Sequence, residues 1–425
     1  MTGKVAAAPG AKAYVIGAGL SGLSAATRLA AYGVSVSVLE AAGQAGGRCR
    51  SYFDAAMGGI IDNGNHLVLS GNRAVQTYLA RIGAADRLAG PPRAHFCFVD
   101  LQAGRRWRLR RDEGPLPFWI ARKSRRVPDT RVGNYLGYAP LLWSRGKTRI
   151  DEVVRDRGPL WRQLMRPFLL AALNTEPEAS SAALAGAVLR ETLAKGGRFY
   201  RPRIADPTLA AAFIDPGVKF LEDHAASVRL GTRLRALGFD QDRVVALETP
   251  GASLALADKD VVVLAVPPWV AADLVPGLVV PDEFRAIVNA HFRIAAPPGT
   301  PSILGVIGGV AEWIFAFSDR ISVTVSGADA IVDQDREELA RVIWADVAKA
   351  LQLKQPMPAW QIVKEKRATF AATPGQDDKR PPAETRWGNL FLAGDWTQTG
   401  LPATIEGALR SGETAAALAL RRLSL

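Results

Sequence analysis

Gly17-Ala18-Gly19-Leu20-Ser21-Gly22 places three glycines at the spacing with which a backbone wraps a pyrophosphate. Gly17 suits a tight turn, Gly19 lets the main chain approach a phosphate, and Gly22 lets a helix pack closely on a strand. Leu20 and Ser21 open that helix, whose N–H groups and positive dipole favour an anion. Glu40 follows Gly22 by 18 residues. It can accept hydrogen bonds from an adenosine ribose, and its charge repels a 2′-phosphate, which disfavours NADP. Beyond Ala41, the Gly46-Gly47 pair permits a second close backbone passage, and Arg48 can reach phosphate oxygens. His66 follows Gly64 and Asn65, and its ordinary pKa suits proton transfer.

These residues need elements to hold them. Ala13 to Ile16 reads as a short buried strand running into the glycines. Leu23, Ala26, Thr27 and Ala30 recur at helical spacing until Gly33, and Val34, Val36 and Val38 alternate with serines up to Glu40, completing a βαβ unit. Asp260 to Pro268 holds another apolar run of strand length. Asn389 to Leu392 predicts a strand, Gly394-Asp395 a turn, and Pro402 the first turn of a helix with Ile405, Ala408, Leu409, Gly412 and Ala416 along one stripe.

The 425 residues are 48% hydrophobic and 22% charged, which supports a large core and excludes disorder, a fibre or a disulfide scaffold. No apolar run is long enough for a spanning helix. Two cysteines and four histidines without metal-ligand spacing point to a reducing cytoplasm and no metal. Met1 to Ala11 lacks the apolar centre of an export signal. The formal charge of +12 concentrates between Gly104 and Gly133, where ten cations and three anions surround Pro115-Leu116-Pro117-Phe118-Trp119-Ile120. Cations flanking aromatics suit an anionic membrane surface, the inner face of the cell membrane being the expected one. A solvated loop is the other reading; no nucleic-acid motif is present.

The Gly46-Gly47-Arg48 extension resembles the GG-doublet flavoproteins, which include amine oxidases, protoporphyrinogen oxidases and carotenoid desaturases. Asp260 to Pro267 is similar to the D-x-V-V-x-A-x-P element of that superfamily, and Asn389 to Leu409 to its C-terminal flavin element. The resemblance implies FAD, with Val244 in a β-meander (Val228 to Leu247) against the adenine, Asp395 on ribityl or pyrophosphate groups, and the N–H groups of Ala403 to Glu406 facing the flavin ring edge. No cysteine follows Cys97, so the FAD is expected to be noncovalent.

Asp62-Asn63-Gly64-Asn65-His66, Pro167 to Leu173 with Asn174-Thr175, Glu312-Trp313-Ile314-Phe315, Val363 to Phe370 and Leu392 to Gly412 resemble, more narrowly, the squalene-associated FAD-dependent desaturases, understood as hydroxysqualene dehydroxylases. Asn65 departs from that pattern, which carries Gln there. The resemblance implies reductive removal of an allylic hydroxyl from hydroxysqualene to give squalene, with electrons from a donor the sequence does not identify. The resemblance implies that Gly64, Asn65 and His66 lie against the flavin as cofactor-binding residues; His66 is also the candidate proton donor, and Arg367 the candidate group polarising the leaving oxygen. A carotenoid-type desaturase or other oxidase of the same fold, and a non-catalytic isoprenoid carrier, are the competing readings.

The expected architecture is α/β: a Rossmann-like FAD-binding domain of the amine-oxidase type from 11–70, 205–265 and 385–425, with an interleaved α+β substrate domain from 71–204 and 266–384. The aromatics Trp161, Trp269, Trp313 and Phe315 are candidates to line an apolar tunnel.

Overall fold

The computed structural model describes residues 10–425; of the tail read from Met1 to Ala11, residues 1–9 lie outside the described residues. Strands Lys12–Ile16 and Ser35–Leu39 pair in parallel, and Val261–Leu264 and Leu390–Leu392 extend the sheet beyond Lys12–Ile16. Ser227–Arg229 completes five strands on the opposite edge. Every residue of Val261–Leu264 is buried, as a parallel strand covered on both faces requires.

Helices Leu20–Ala31 and Ile405–Arg422 pack together against this sheet. Their backbones come close: a Cβ on Gly412 would lie 2.2 Å from the Ser21 carbonyl oxygen, and the Ser24 hydroxyl donates to the Leu409 carbonyl at 2.9 Å.

Val228 belongs to the parallel sheet, not to the expected meander, which is confined to Ala236–Asp240, Arg243–Thr249 and Ala252–Ala255. The reason is local: the Glu40 N–H donates to the Arg229 carbonyl, and the Gly231 N–H to that of Ala42, tying this stretch to the first βαβ unit.

A seven-stranded sheet forms the second layer, in the order Trp360–Phe370, Phe284–Phe292, Ile321–Val325, Trp313–Ala316, Ile303–Ile307, His95–Asp100, Arg105–Arg110. Alternation sorts its side chains. Val288, Ala290, Phe292, Ile314 and Val323 form one core with the helix Arg336–Leu351. Phe96, Phe98, Trp313 and Phe315 face the other way and join Trp161 and Leu169 in an apolar body that also takes in Tyr14, Ile16, Val262 and Leu390 from the parallel sheet. One continuous hydrophobic mass therefore connects the two layers.

Candidate active site

Three backbone features build a cradle at the N-terminus of Leu20–Ala31. Gly17 has φ +105°, and a Cβ there would meet the Ala265 carbonyl oxygen at 2.5 Å; one on Gly22 would lie 1.9 Å from the Gly17 oxygen. Both glycines are demanded by packing. Gly19 differs, since a Cβ there meets nothing within 4 Å. Gly46 and Gly47, at φ +113° and +54°, close the side of the cradle, with the Gly46 N–H donating to the Ala18 carbonyl at 2.9 Å. No side chain caps this helix and no acidic residue stands in its first turn, so its N-terminal N–H groups face the open space above Gly19. The residues fit a pyrophosphate.

Glu40 splits its carboxylate between two loops, accepting the Ala18 N–H at 2.7 Å and the Ala42 N–H at 2.8 Å. That clamp fixes the Ala41 turn and leaves lone pairs for a ribose. Arg48 does not stand free for phosphate, as its sequence position suggests. Its Nη2 spans both oxygens of Asp395, each at 2.8 Å, and its Nη1 donates to the Ala368 carbonyl. Arg380 lies 2% exposed beneath the same turn. It donates to the carbonyls of Asp395 and Thr397 and, at 2.7 Å, to the Thr399 hydroxyl. Only folding shows that Arg380, 15 positions before Asp395, supports the Asp395 turn.

At the last helix, Thr404 is the cap, accepting the Gly407 N–H at 3.0 Å, and the helix starts at Ile405. Pro402 and Ala403 thus precede the helix instead of forming its first turn. Glu406 points away from the cradle: it accepts the N–H groups of Ala74 and Val75 at 3.1 Å and pairs with Arg410, capping the helix Arg73–Arg81. Val244 already has partners for its backbone. Its N–H and carbonyl are both bonded by the Asn389 side-chain amide, at 2.8 and 2.9 Å, which leaves its backbone closed to an adenine. The segment lying beside Glu40 is instead Arg229 to Thr232.

The loop Asp62 to His66 crosses the seven-stranded sheet. Gly64 lies against the Asn289 amide, and Asn65 reaches Asn289 and Thr324. His66 lies near Arg48 and Asp395; burial first, and Arg48 second, push its pKa down to about 4. At neutral pH it is uncharged, a hydrogen-bonding group and not a proton store, which counts against the donor role expected for it. Arg367 is exposed and stacks over the Trp269 ring at 4.7 Å, with Phe284 at 5.8 Å. It marks an aromatic rim and makes no side-chain hydrogen bond or ion pair among the described residues.

Glu312 is the acid that sequence reasoning passed over. Burial pushes its carboxyl up to about 7 against the pull of the Ser326 N–H, which it accepts at 2.7 Å, and of Arg166. It immediately precedes Trp313, the residue that shares a face with Phe98 and Phe315. Nothing in its local pattern separates it from a surface glutamate.

The sequence model of flavin-containing amine oxidoreductases matches residues 20–420. The chain belongs to that family. Within it, a hydroxysqualene dehydroxylase of Rhodopseudomonas palustris is 55% identical over 408 residues, covering 96% of this chain and 98% of the relative. One from Sinorhizobium fredii is 52% identical over 407 residues, at the same coverages. The cyclohexylamine oxidase of Brevibacterium oxydans has a TM-score of 0.70 at 17% identity, covering 97% of this chain and 99% of that one, so the fold is shared. The chain is a member of the hydroxysqualene dehydroxylase family of FAD-dependent oxidoreductases.

Proposed function

We propose that this enzyme reductively removes the allylic hydroxyl of hydroxysqualene to give squalene. The observation that carries the reading is end-to-end similarity to two hydroxysqualene dehydroxylases above 50% identity, in a chain whose cradle suits FAD. Gly17 to Gly22, Glu40, Gly46 to Arg48 and Asp395 would hold the cofactor. When bound and reduced, FAD supplies a hydride.

The chain's own tasks follow from the balance: the alcohol takes a proton and a hydride and yields hydrocarbon and water. The apolar body around Trp313, Phe315, Trp161 and Leu169 suits a long isoprenoid and excludes water. A proton must come from a group that holds one near neutral pH, and Glu312 does so where His66 does not. Arg367, at the rim, suits guiding the chain's entry better than polarising a buried oxygen.

The basic segment supports contact with an anionic membrane. Leu116 and Phe118 within it, and Leu136 and Trp143 just beyond it, are 59–71% exposed, whereas Trp119 is buried and packs edge-on against Tyr135. Arg108, Arg110, Arg122, Lys123, Arg126 and Arg131 have no carboxylate partner among the described residues. No helix among the described residues is long and apolar enough to cross a membrane, so the attachment would lie flat on the surface, where a poorly water-soluble substrate resides.

Anaerobic turnover of hydroxysqualene by dithionite-reduced holoenzyme tests the reaction. Squalene as product is expected. Dehydrogenation of a polyene by the oxidised enzyme, with no squalene formed, would replace this reading by a desaturase.

A further inference from the structure

One cross-strand row of the seven-stranded sheet changes character midway. Val363, Asn289, Thr324, Trp313, Gly305 and Phe98 are successive partners across six strands. Cross-strand partners share a face. Most of that face is apolar, yet Asn289 and Thr324, 2% and 9% exposed, sit at its centre. Burying such groups costs free energy unless their hydrogen bonds are made.

Their bonds are made, up to a point. The Thr324 hydroxyl donates to the Asn289 Oδ1 at 2.8 Å, and the Asn65 amide Nδ2 donates to the Thr324 Oγ1 at 3.2 Å and to the Val323 carbonyl at 3.3 Å. Two buried atoms remain without partners: the acceptor Oδ1 of Asn65 and the donor Nε1 of Trp313, the residue facing Thr324 across the strand pair. Glu312 immediately precedes Trp313 of this row, and its contact Ser326 is two residues along from Thr324.

An unused acceptor and an unused donor beside an apolar body match a hydroxyl, which offers one proton and two lone pairs. A long isoprenoid alcohol has that single polar group, and its deoxygenated product has none. We propose that Asn65, Asn289, Thr324 and Trp313 form the hydroxyl-recognition site, which selects the alcohol over the hydrocarbon and fixes the carbon that is reduced. This rests on the proposed reaction for the substrate's identity, but not for the site's existence. A site built to hydrogen-bond a hydroxyl rejects analogues lacking it, because its own buried groups are then left unpaired. Product release follows from the same geometry, since loss of the hydroxyl removes the one polar anchor.

The test compares binding of hydroxysqualene and squalene to the oxidised holoenzyme, read as perturbation of the flavin spectrum, in wild type, Thr324→Val and Asn65→Leu. Thr324→Val keeps the side chain's shape. Wild type is expected to prefer the alcohol, and each variant to narrow that preference by about tenfold, a loss of roughly 1.4 kcal/mol, with FAD affinity unchanged. KM for hydroxysqualene should rise more than kcat falls in Thr324→Val. Equal wild-type affinity for alcohol and hydrocarbon overturns the inference. So do variants that weaken FAD binding while keeping the alcohol preference, which would assign the cluster to the cofactor. A wild-type enzyme that prefers the alcohol yet makes no squalene upholds the recognition site and defeats the assigned reaction, so the two failures are separable.

Discussion

Arg48 and Asp395, 347 positions apart, meet in an ion pair in which one guanidinium nitrogen, Nη2, lies 2.8 Å from each carboxylate oxygen. The pair joins the glycine-rich loop near the start of the chain to the turn before the last helix, on the two sides of the cradle. Asp395 is only 7% exposed, so it depends on that partner. Arg48→Ala leaves a buried carboxylate facing an anionic cofactor and is expected to weaken FAD binding at least tenfold in a fluorescence titration of apoprotein. Adding Asp395→Asn should restore part of the affinity; a double variant no better than Arg48→Ala would count against electrostatic coupling between them.

The cradle glycines predict two different defects. A side chain at Gly19 projects into open space from an ordinary extended backbone, so Gly19→Val should fold, keep its apoprotein melting temperature, and fail to retain yellow flavin. Gly22→Val drives a Cβ into the Gly17 carbonyl and should lose soluble, folded protein altogether. Expression yield, circular dichroism and flavin absorbance of the two purified variants separate these outcomes.

Glu312 and His66 make opposite contributions to stability against pH. Burial raises the Glu312 carboxyl from 4.5 to about 7, so its protonated form stabilises the fold fully below about 4.5, and that contribution is lost as pH rises through about 7. Burial and Arg48 lower His66 from 6.5 to about 4, so its contribution is present above 6.5 and lost as pH falls towards 4. Glu312→Gln should therefore raise the melting temperature more at pH 8 than at pH 5, while turnover drops at both. A constant melting difference across that range would show that Glu312 titrates normally.

Exposed apolar residues among unpaired cations predict salt-sensitive binding to anionic vesicles. Wild-type protein should sediment with phosphatidylglycerol vesicles and less with phosphatidylcholine ones. Phe118→Ser with Trp143→Ser should lower the bound fraction several-fold without changing turnover of detergent-dispersed substrate. Sedimentation unaffected by either lipid charge or the substitutions would leave the segment a solvated loop.

The parts legible in the amino-acid order are those whose physics is local. Gly17, Gly19, Gly22 and Glu40 announce themselves because turn, helix start and strand end follow one another within one βαβ unit. The strand Val261–Leu264 is an unbroken apolar run and reads as such. The bonding of the Val244 backbone by Asn389, 145 positions away, is not legible in the sequence, since no periodicity encodes that partner. The partners of the Glu406 carboxylate are not legible from its place at a helix start, because they are the unpaired N–H groups of Ala74 and Val75, more than 330 positions away. The polar patch at Asn289 and Thr324 is silent in each strand alone and exists only where two strands align.

The closeness of the first and last helices, whose contact between Ser24 and Leu409 spans 385 positions, sets a schedule for biosynthesis. At about 5–20 residues per second, a ribosome needs roughly 20–80 s to travel between them. Through that interval the nascent chain holds a half-built nucleotide fold with a bare greasy edge, so prosthetic-group uptake must await synthesis of the helix Ile405–Arg422, and chaperone demand should peak just before it.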